Sequence, residues 1–414
     1  MRILKGPAAT KRVNELARRA SLLDTVEPKV KKIVDEVRHG GDKALMKYAR
    51  EFDGLKNGQK LRVTEDEISR AWEAAPISYR KALEHAARNI RQFCEWQKPT
   101  EWMRTGNGVT VGQLVRPLDA VGCYVPGGRH PLPSTLLMTV IPAQVMGVKE
   151  IRVVSPQPQP GTLAAAAMLG VSEFYRIGGA QAVAALAYGT ESVRRVDKIV
   201  GPGNKYVTAA KKLVAFDCSI DMLAGPTEIV IVAHKGVPEY IASDLVAQAE
   251  HDPETLAVFI TSGSPEFAKQ VAHEAMQMAE NNEVAMQSLR DRGVVLIAKN
   301  RTQAMEWANL IAAEHITVSR DDLANLRSAG SVFVGDYSPQ AVGDYASGPN
   351  HVLPTGGAAR YRAGLSVYDY VKLITVQELT REGLQRIAPV VTSLAETEGL
   401  RAHAESVRVR GAHA

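Results

Sequence analysis

Val121-Gly-Cys-Tyr-Val-Pro-Gly-Gly128 reads as a short apolar strand running into a glycine turn. The order of elements after it decides the fold class. A helix over 134–145, which Pro142 must kink or interrupt, leads to a strand over 150–155. A helix over 162–169 and a strand over 173–177 come next, and Gly178-Gly-Ala-Gln-Ala-Val183 opens a helix that runs to 188. Asp197-Lys-Ile-Val-Gly-Pro-Gly-Asn204 repeats the strand-then-turn pattern and feeds a helix to about 214. Short apolar strands alternating with helices mean βαβ units and a parallel sheet covered on both faces.

Downstream, the same rhythm returns without a detectable sequence repeat. Strands are expected over 229–232, 256–261, 294–297 and 332–334, with helices from about 238, over 265–279 and over 302–312. Upstream, residues 26–97 are helical in pattern. Val30, Ile33, Val34 and Val37 form one stripe, Gly40-Gly41 breaks it, and Thr64-Glu-Asp-Glu67 is a capping box. A charged helix is expected over 78–96. Residues 1–22 form a basic arm with a helix over 11–20, too small to fold alone, so it must dock on something. The last forty residues are expected to be mostly helical, over 376–387 and 389–397. The expected architecture is α/β, with two Rossmann-like parallel-sheet domains and helical N- and C-terminal arms. The first domain is discontinuous, 23–122 plus 229–368. Residues 123–228 are inserted as the second, 1–22 are the N-terminal arm, and 369–414 are a helical tail.

The totals exclude several classes. The 414 residues suffice for two domains and a sizeable core. A net charge of +5, from 50 basic and 45 acidic residues, is too small and too dispersed for nucleic acid. Cys94, Cys123 and Cys218 are far apart, with no Cys-x-x-Cys, so neither a disulfide framework nor a zinc knuckle is expected. No apolar leader or membrane-length run is present, and a soluble cytoplasmic protein is the default expectation.

Asp244-Leu-Val-Ala-Gln-Ala-Glu-His-Asp-Pro253 carries the first chemical signal. Ile241, Leu245 and Ala249 make one apolar helix face, and Pro253 stops the run. Gln248 and His251 are then neighbours at i and i+3, a carboxamide and an imidazole suited to a divalent metal at a helix C-terminus. A histidine there also serves the helix dipole, so the stretch alone is not specific. Glu314-His315 sits where a helix runs out, and a carboxylate beside an imidazole suits two proton transfers. Residues 343–357 form a long polar glycine-rich loop with Asp344 and His351, and loops of that length are more often functional than structural. Glu398 and His403 lie five apart in the tail. The turns Gly178-Gly179 and Gly201-Pro-Gly203 face helix starts and could take an anion, yet neither is Gly-x-Gly-x-x-Gly.

Taken in order, these pieces resemble the histidinol dehydrogenase family nearly end to end. The resemblance rests on Tyr-Val-Pro-Gly-Gly128, Gly-Gly-Ala-Gln-Ala182, Asp-Lys-Ile-Val-Gly-Pro-Gly-Asn204 and Ile-Asp-Met-Leu-Ala-Gly-Pro-Thr-Glu228. It continues through Gln-Ala-Glu-His251, Glu-His315 and Gly-Asp-Tyr-Ala-Ser-Gly-Pro-Asn-His351. It implies a zinc enzyme that oxidises L-histidinol to L-histidine in two NAD-dependent steps through bound histidinaldehyde. The implied zinc ligands are Gln248, His251, Asp344 and His403, more donors with substrate than a tetrahedral site holds, so an octahedral one. Glu314 and His315 are the implied acid–base pair. Thr227, Gln248, His251, His315, Asp344, His351, Glu398 and His403 are the implied substrate contacts, and Tyr124, Gln181 and Asn204 line the implied NAD site. The resemblance also implies an intertwined homodimer whose tail reaches the partner's zinc. Departures are few. Thr227 stands where Ser is frequent, Ala313 where Pro usually precedes Glu-His, and Ile316 where Leu is usual; His130 matches no family role. The alternatives are a relative oxidising another primary alcohol or a sulfonated diol, against which His351 and Glu398 speak, and a zinc hydrolase.

Overall fold

The computed structural model describes residues 1–19, 23, 25–127 and 132–412. Gly128, His130 and the expected end of the arm helix at residue 20 lie outside them.

The arm begins with a strand, β1 (Arg2–Lys5), and a helix, α1 (Gly6–Ala17), whose Pro7 fits the first turn because its missing N–H has no partner there. α2 (Glu27–Phe52) bends at Gly41, where φ is +52°. α3 (Glu65–Ala74) starts at the expected Thr64–Glu67 capping box, and α4 (Ile77–Gln97) comes after it. β2 (Trp102–Gly106) and β3 (Val109–Pro117) form a hairpin. Then comes the expected alternation: β4 (Ala120–Tyr124), α5 (Pro133–Met146), β5 (Glu150–Val154), α6 (Pro160–Met168), β6 (Glu173–Tyr175) and α7 (Gly179–Tyr188). β7 (Lys198–Val200), α8 (Lys205–Val214) and β8 (Ser219–Ile220) complete that unit. The next runs β9 (Glu228–Val232), α9 (Pro238–Ala249), β10 (Leu256–Thr261), α10 (Pro265–Met278), α11 (Glu283–Asp291) and β11 (Val294–Ile297). It continues with α12 (Arg301–Ile311), β12 (His315–Val318), β13 (Ser331–Val334) and α13 (Ala341–Tyr345). The chain ends with β14 (Val371–Leu379), α14 (Arg381–Thr397) and α15 (Arg401–Ala412).

Among the described residues these strands make three sheets. One is parallel and six-stranded, in the order β1-β11-β10-β9-β12-β13; another is parallel and five-stranded, β6-β5-β4-β7-β8. The third, β14-β3-β2, is antiparallel. Both parallel sheets are covered on both faces. α1 and α12 pack on one face of the six-stranded sheet, and α9, α10 and α11 on the other.

Three expectations need correcting. The 27–97 helices, placed with the first core on sequence, pack on the five-stranded sheet. Val30, Val34 and Leu45 of α2 share a cluster with Ala182 and Leu186 of α7. Leu83 and Ile90 of α4 share one with Leu136 and Val140 of α5. A helical stripe tells which face is buried, not which sheet buries it. The arm is not only helical, since β1 adds an edge strand to the six-stranded sheet by pairing with β11. The segment over 376–387 is not one helix. β-Branched Val371, Ile374, Thr375 and Val376 favour the extended chain, and β14 pairs all nine of its residues with β3 before Thr380 caps α14. Among the described residues no helix is long and apolar enough to cross a membrane.

Candidate active site

The expected catalytic pair lies at the amino-terminal edge of the six-stranded sheet. α12 ends at Ala312, in the left-handed region at φ +50°, and the chain turns into β12. Glu314 and His315 are adjacent, so an extended chain would point them apart. They meet because Glu314 precedes the strand: its carboxylate oxygen is 3.7 Å from His315 Nδ1. At Ala313 that backbone is anchored, its carbonyl accepting from Gly330 N at 3.1 Å. Both side chains of the pair are buried.

Glu228, which opens the neighbouring strand β9, serves both of them. Its N–H donates to Glu314 Oε2 at 2.9 Å, and its carbonyl accepts from His315 Nδ1 at 3.2 Å. With Nδ1 donating, the free lone pair of the neutral ring sits on Nε2, which faces Asp344 Oδ1 at 3.6 Å. The Thr227 hydroxyl donates to Glu314 Oε2 at 2.5 Å and lies 3.3 Å from Gln248 Oε1, and Gln248 Nε2 reaches Asp344 Oδ2 at 3.4 Å. His351 touches the backbone carbonyl of Asp344 through Nδ1 at 2.8 Å and Thr135 Oγ1 through Nε2 at 3.1 Å. Phe333 stacks on the His315 ring, centroids 6.0 Å apart.

Electrostatics separate the roles. Burial pushes the Glu314 carboxyl up to about 7, against the pull of His315, the Thr227 hydroxyl and the Glu228 N–H. A carboxyl poised there can take and return a proton near neutral pH. For His315, burial works against the charged form, but Glu314 and Asp344 outweigh it and the pKa is raised. Partial burial works against the charge of Asp344 as well, yet its contact with His315 holds its carboxyl below the usual range. Burial lowers His351 and keeps it neutral.

Thr227, Gln248, Glu314, His315, Asp344 and His351 are therefore joined in one network. His251, exposed just past α9, is close enough for its charge to act on Asp344 and His351. Glu398 and His403 are not brought to this network. Both are exposed, at the C-terminal end of α14 and on α15. Those helices pack mainly on each other and on β14. Among the described residues no group of three His, Cys, Asp or Glu stands placed for a metal within this one chain.

The glycine turns frame a separate cavity of about 680 Å³ at the carboxyl edge of the five-stranded sheet, where doubly wound folds bind ligands. Tyr124, Gln181 and Asn204 all line it. The Tyr124 hydroxyl accepts from Gly179 N at 2.9 Å, and Asn204 Oδ1 caps α8 by accepting from Tyr206 N and Val207 N. Gln181 is held by Asp53, whose Oδ2 accepts from Gln181 Nε2 at 2.9 Å and from Gly178 N at 3.1 Å. Burial pushes Asp53 up to about 6. In the sequence Asp53-Gly54 reads only as a helix stop, which hides this residue. Glu228 is hidden as well, although it closes a family motif. Leu132 lines this cavity and Thr135, three residues on, touches His351, so the start of α5 links the two places.

Known proteins resemble the whole chain. The family model of histidinol dehydrogenases matches residues 16–411. The histidinol dehydrogenase of Methanothermobacter thermautotrophicus is 47% identical, with 97% of each chain covered, and that of Aquifex aeolicus is 43% identical, with 96% of each covered. A crystal structure of histidinol dehydrogenase from Elizabethkingia anophelis superposes with a TM-score of 0.93 at 34% identity, covering 99% of this chain and 98% of that one. The family model, the relatives and the solved structure all match across nearly the full length, and the chain belongs to the histidinol dehydrogenase family.

Proposed function

We propose that the chain oxidises L-histidinol to L-histidine in two NAD-dependent steps through bound histidinaldehyde, the last steps of histidine biosynthesis. The observation that carries the reading is the buried Glu314–His315 pair, oriented by one peptide and facing Asp344 and Gln248. His315 Nε2 removes the alcohol proton. Glu314, with its carboxyl at about 7, takes the proton of the water that attacks the aldehyde. Thr227, bonded to Glu314 and close to Gln248, keeps the carboxylate turned toward the substrate. Neutral His351 exchanges its Nε2 contact with Thr135 for a hydrogen bond to substrate without adding charge.

The donor set fits zinc. Gln248 is only 2% exposed, yet its amide contacts are long, at 3.3 and 3.4 Å, which leaves capacity for another partner. Gln248, His251 and Asp344 would hold the ion, with His403 as fourth ligand. Zinc, when bound, orients the substrate imidazole and amine. The cavity at the glycine turns suits NAD in size and offers backbone N–H groups at the starts of α7 and α8. NAD, when bound, accepts the hydride of each oxidation.

His403 and Glu398 reach this site from a second chain in an intertwined homodimer. Exposed Ile387, Val390, Leu394 and Leu400 on the tail support that reading. Free, buried Cys94, Cys123 and Cys218 suit a cytoplasmic compartment. The deciding experiment is stoichiometry. Purified zinc-loaded protein with L-histidinol should release about two NADH per histidinol consumed, one for each oxidation. One equivalent would mean a simple alcohol dehydrogenase, and none would end the reading.

A further inference from the structure

Arg19, from the N-terminal arm, meets Glu228 with both prongs of its guanidinium. Nε donates to Oε1 and Nη2 to Oε2, each at 2.5 Å. The remaining donor, Nη1, ends on the carbonyls of Leu16 at 2.5 Å and Ile311 at 2.7 Å. Those carbonyls belong to the last turns of α1 and α12, which have no partner within their own helices. Arg360 closes the same two helix ends through Ala17 O and Leu310 O. On the other side, Glu228 Oε1 also accepts from Gly356 N at 3.0 Å, in the loop that carries His351. Glu228 is only 4% exposed, so its charge has left water and is held by named partners.

The main chain of this same residue touches both Glu314 and His315. Its N–H fixes the carboxylate and its carbonyl fixes the ring tautomer. Ile311, on the other end of Arg19, lies three residues before Glu314. One guanidinium therefore grips the peptide that orients the pair and the helix end that delivers it. A buried ion pair adds little net stability over an apolar replacement, which leaves geometry as its contribution. Lysine could keep the charge but not the fork with two further carbonyl bonds.

We propose that Arg19 and Glu228 are positioning residues for the Glu314–His315 pair, and that the N-terminal helix is thereby part of the active site. The proposal rests on the catalytic role assigned to that pair.

The test uses full-length, zinc-loaded enzyme and reads kcat, KM for histidinol and for NAD, and thermal unfolding. Arg19→Met should lower kcat about a hundredfold, the size of loss that a misplacement near 1 Å produces. The KM for NAD should stay unchanged, because the cavity at the other sheet is untouched. Glu228→Gln should lose kcat as well. The double variant should be no slower than the slower single one, since both break one unit. Arg19→Lys should recover part of the loss, and it carries the test if the Met variant does not fold. Unchanged kcat per folded molecule, with only a lower melting temperature, overturns the proposal. So does a rise in histidinol KM with kcat preserved. Glu314→Gln and His315→Ala are run alongside. Full activity in both overturns the catalytic assignment itself, and this proposal with it. Their loss with an unaffected Arg19→Met overturns the positioning role alone.

Discussion

Glu314 is buried, and its carboxyl titrates at about 7 in the folded protein against 4.5 for an ordinary glutamate. Between those values the unfolded chain has released a proton that the folded chain still holds. Stability is therefore lost as pH rises from 4.5 to about 7, and the penalty is complete above that. For a rise of that size it is on the order of 3 kcal/mol. Glu314→Gln should accordingly melt higher than the parent at about pH 8, with the gain gone by about pH 4; an equal difference at both pH values would contradict the assignment. The same variants divide the chemistry. His315→Ala should slow oxidation of histidinol more than of histidinaldehyde, because only the alcohol needs its proton removed. Glu314→Gln should do the reverse, and equal losses on both substrates would refute the division. At this scale the pair is legible in the sequence as two residue types suited to proton transfer. Its orientation is not, because that comes from Glu228, an acidic residue whose main chain does the orienting. No residue-type pattern marks a peptide group.

Among the elements, the start of α8 has a buried support of its own. Lys211 Nζ donates to Asp221 Oδ1 at 2.6 Å and to Gly201 O at 2.5 Å, and Asp221 Oδ2 accepts from Gly201 N at 2.7 Å. Gly201 has φ +112°, and a Cβ there would sit 2.1 Å from Tyr124 O, so the turn cannot relax by substitution. Lys211→Met should cost about 3–5 kcal/mol, the cost of leaving a buried charge alone. It should weaken NAD binding and leave zinc binding intact, as calorimetry with each ligand would show. A stable variant with full NAD affinity would mean the turn holds itself. The strand–helix alternation around this turn is readable because apolar periods of two and of 3.6 differ. The destination of α2 and α4 is not, since a stripe of Val30, Ile33, Val34 and Val37 fits any apolar face. β14 escapes the sequence because seven of its nine residues are exposed and its order comes from pairing with β3.

For the whole molecule, the tail decides. His403 is exposed on α15, while Gln248 lies buried and Asp344 half-buried beside the sheet edge. None of the motifs that carry the resemblance contains His403, and its service to a partner's site is implied by the resemblance alone, since residue identity carries no information on chain exchange. His251→Ala and His403→Ala should each be nearly inactive. When coexpressed, a mixed dimer should carry one site with both defects and one with neither. Random pairing then restores about a quarter of parental activity. No recovery, with heterodimers shown by mass, would mean the tail serves its own chain. Zinc, at about one per chain, should leave on acidification as imidazole and carboxylate take up protons, and metal analysis across a pH series checks this.

If the tail leaves its own core along β14 to complete a partner's site, association also reaches the rate law. A site completed by a second molecule exists only in proportion to the associated form, so mass action enters the assay. Velocity should rise linearly with enzyme at high protein and bend below that line on dilution, the rate falling with time as chains dissociate. Unlike an ordinary enzyme, this one would have a specific activity that depends on its own abundance.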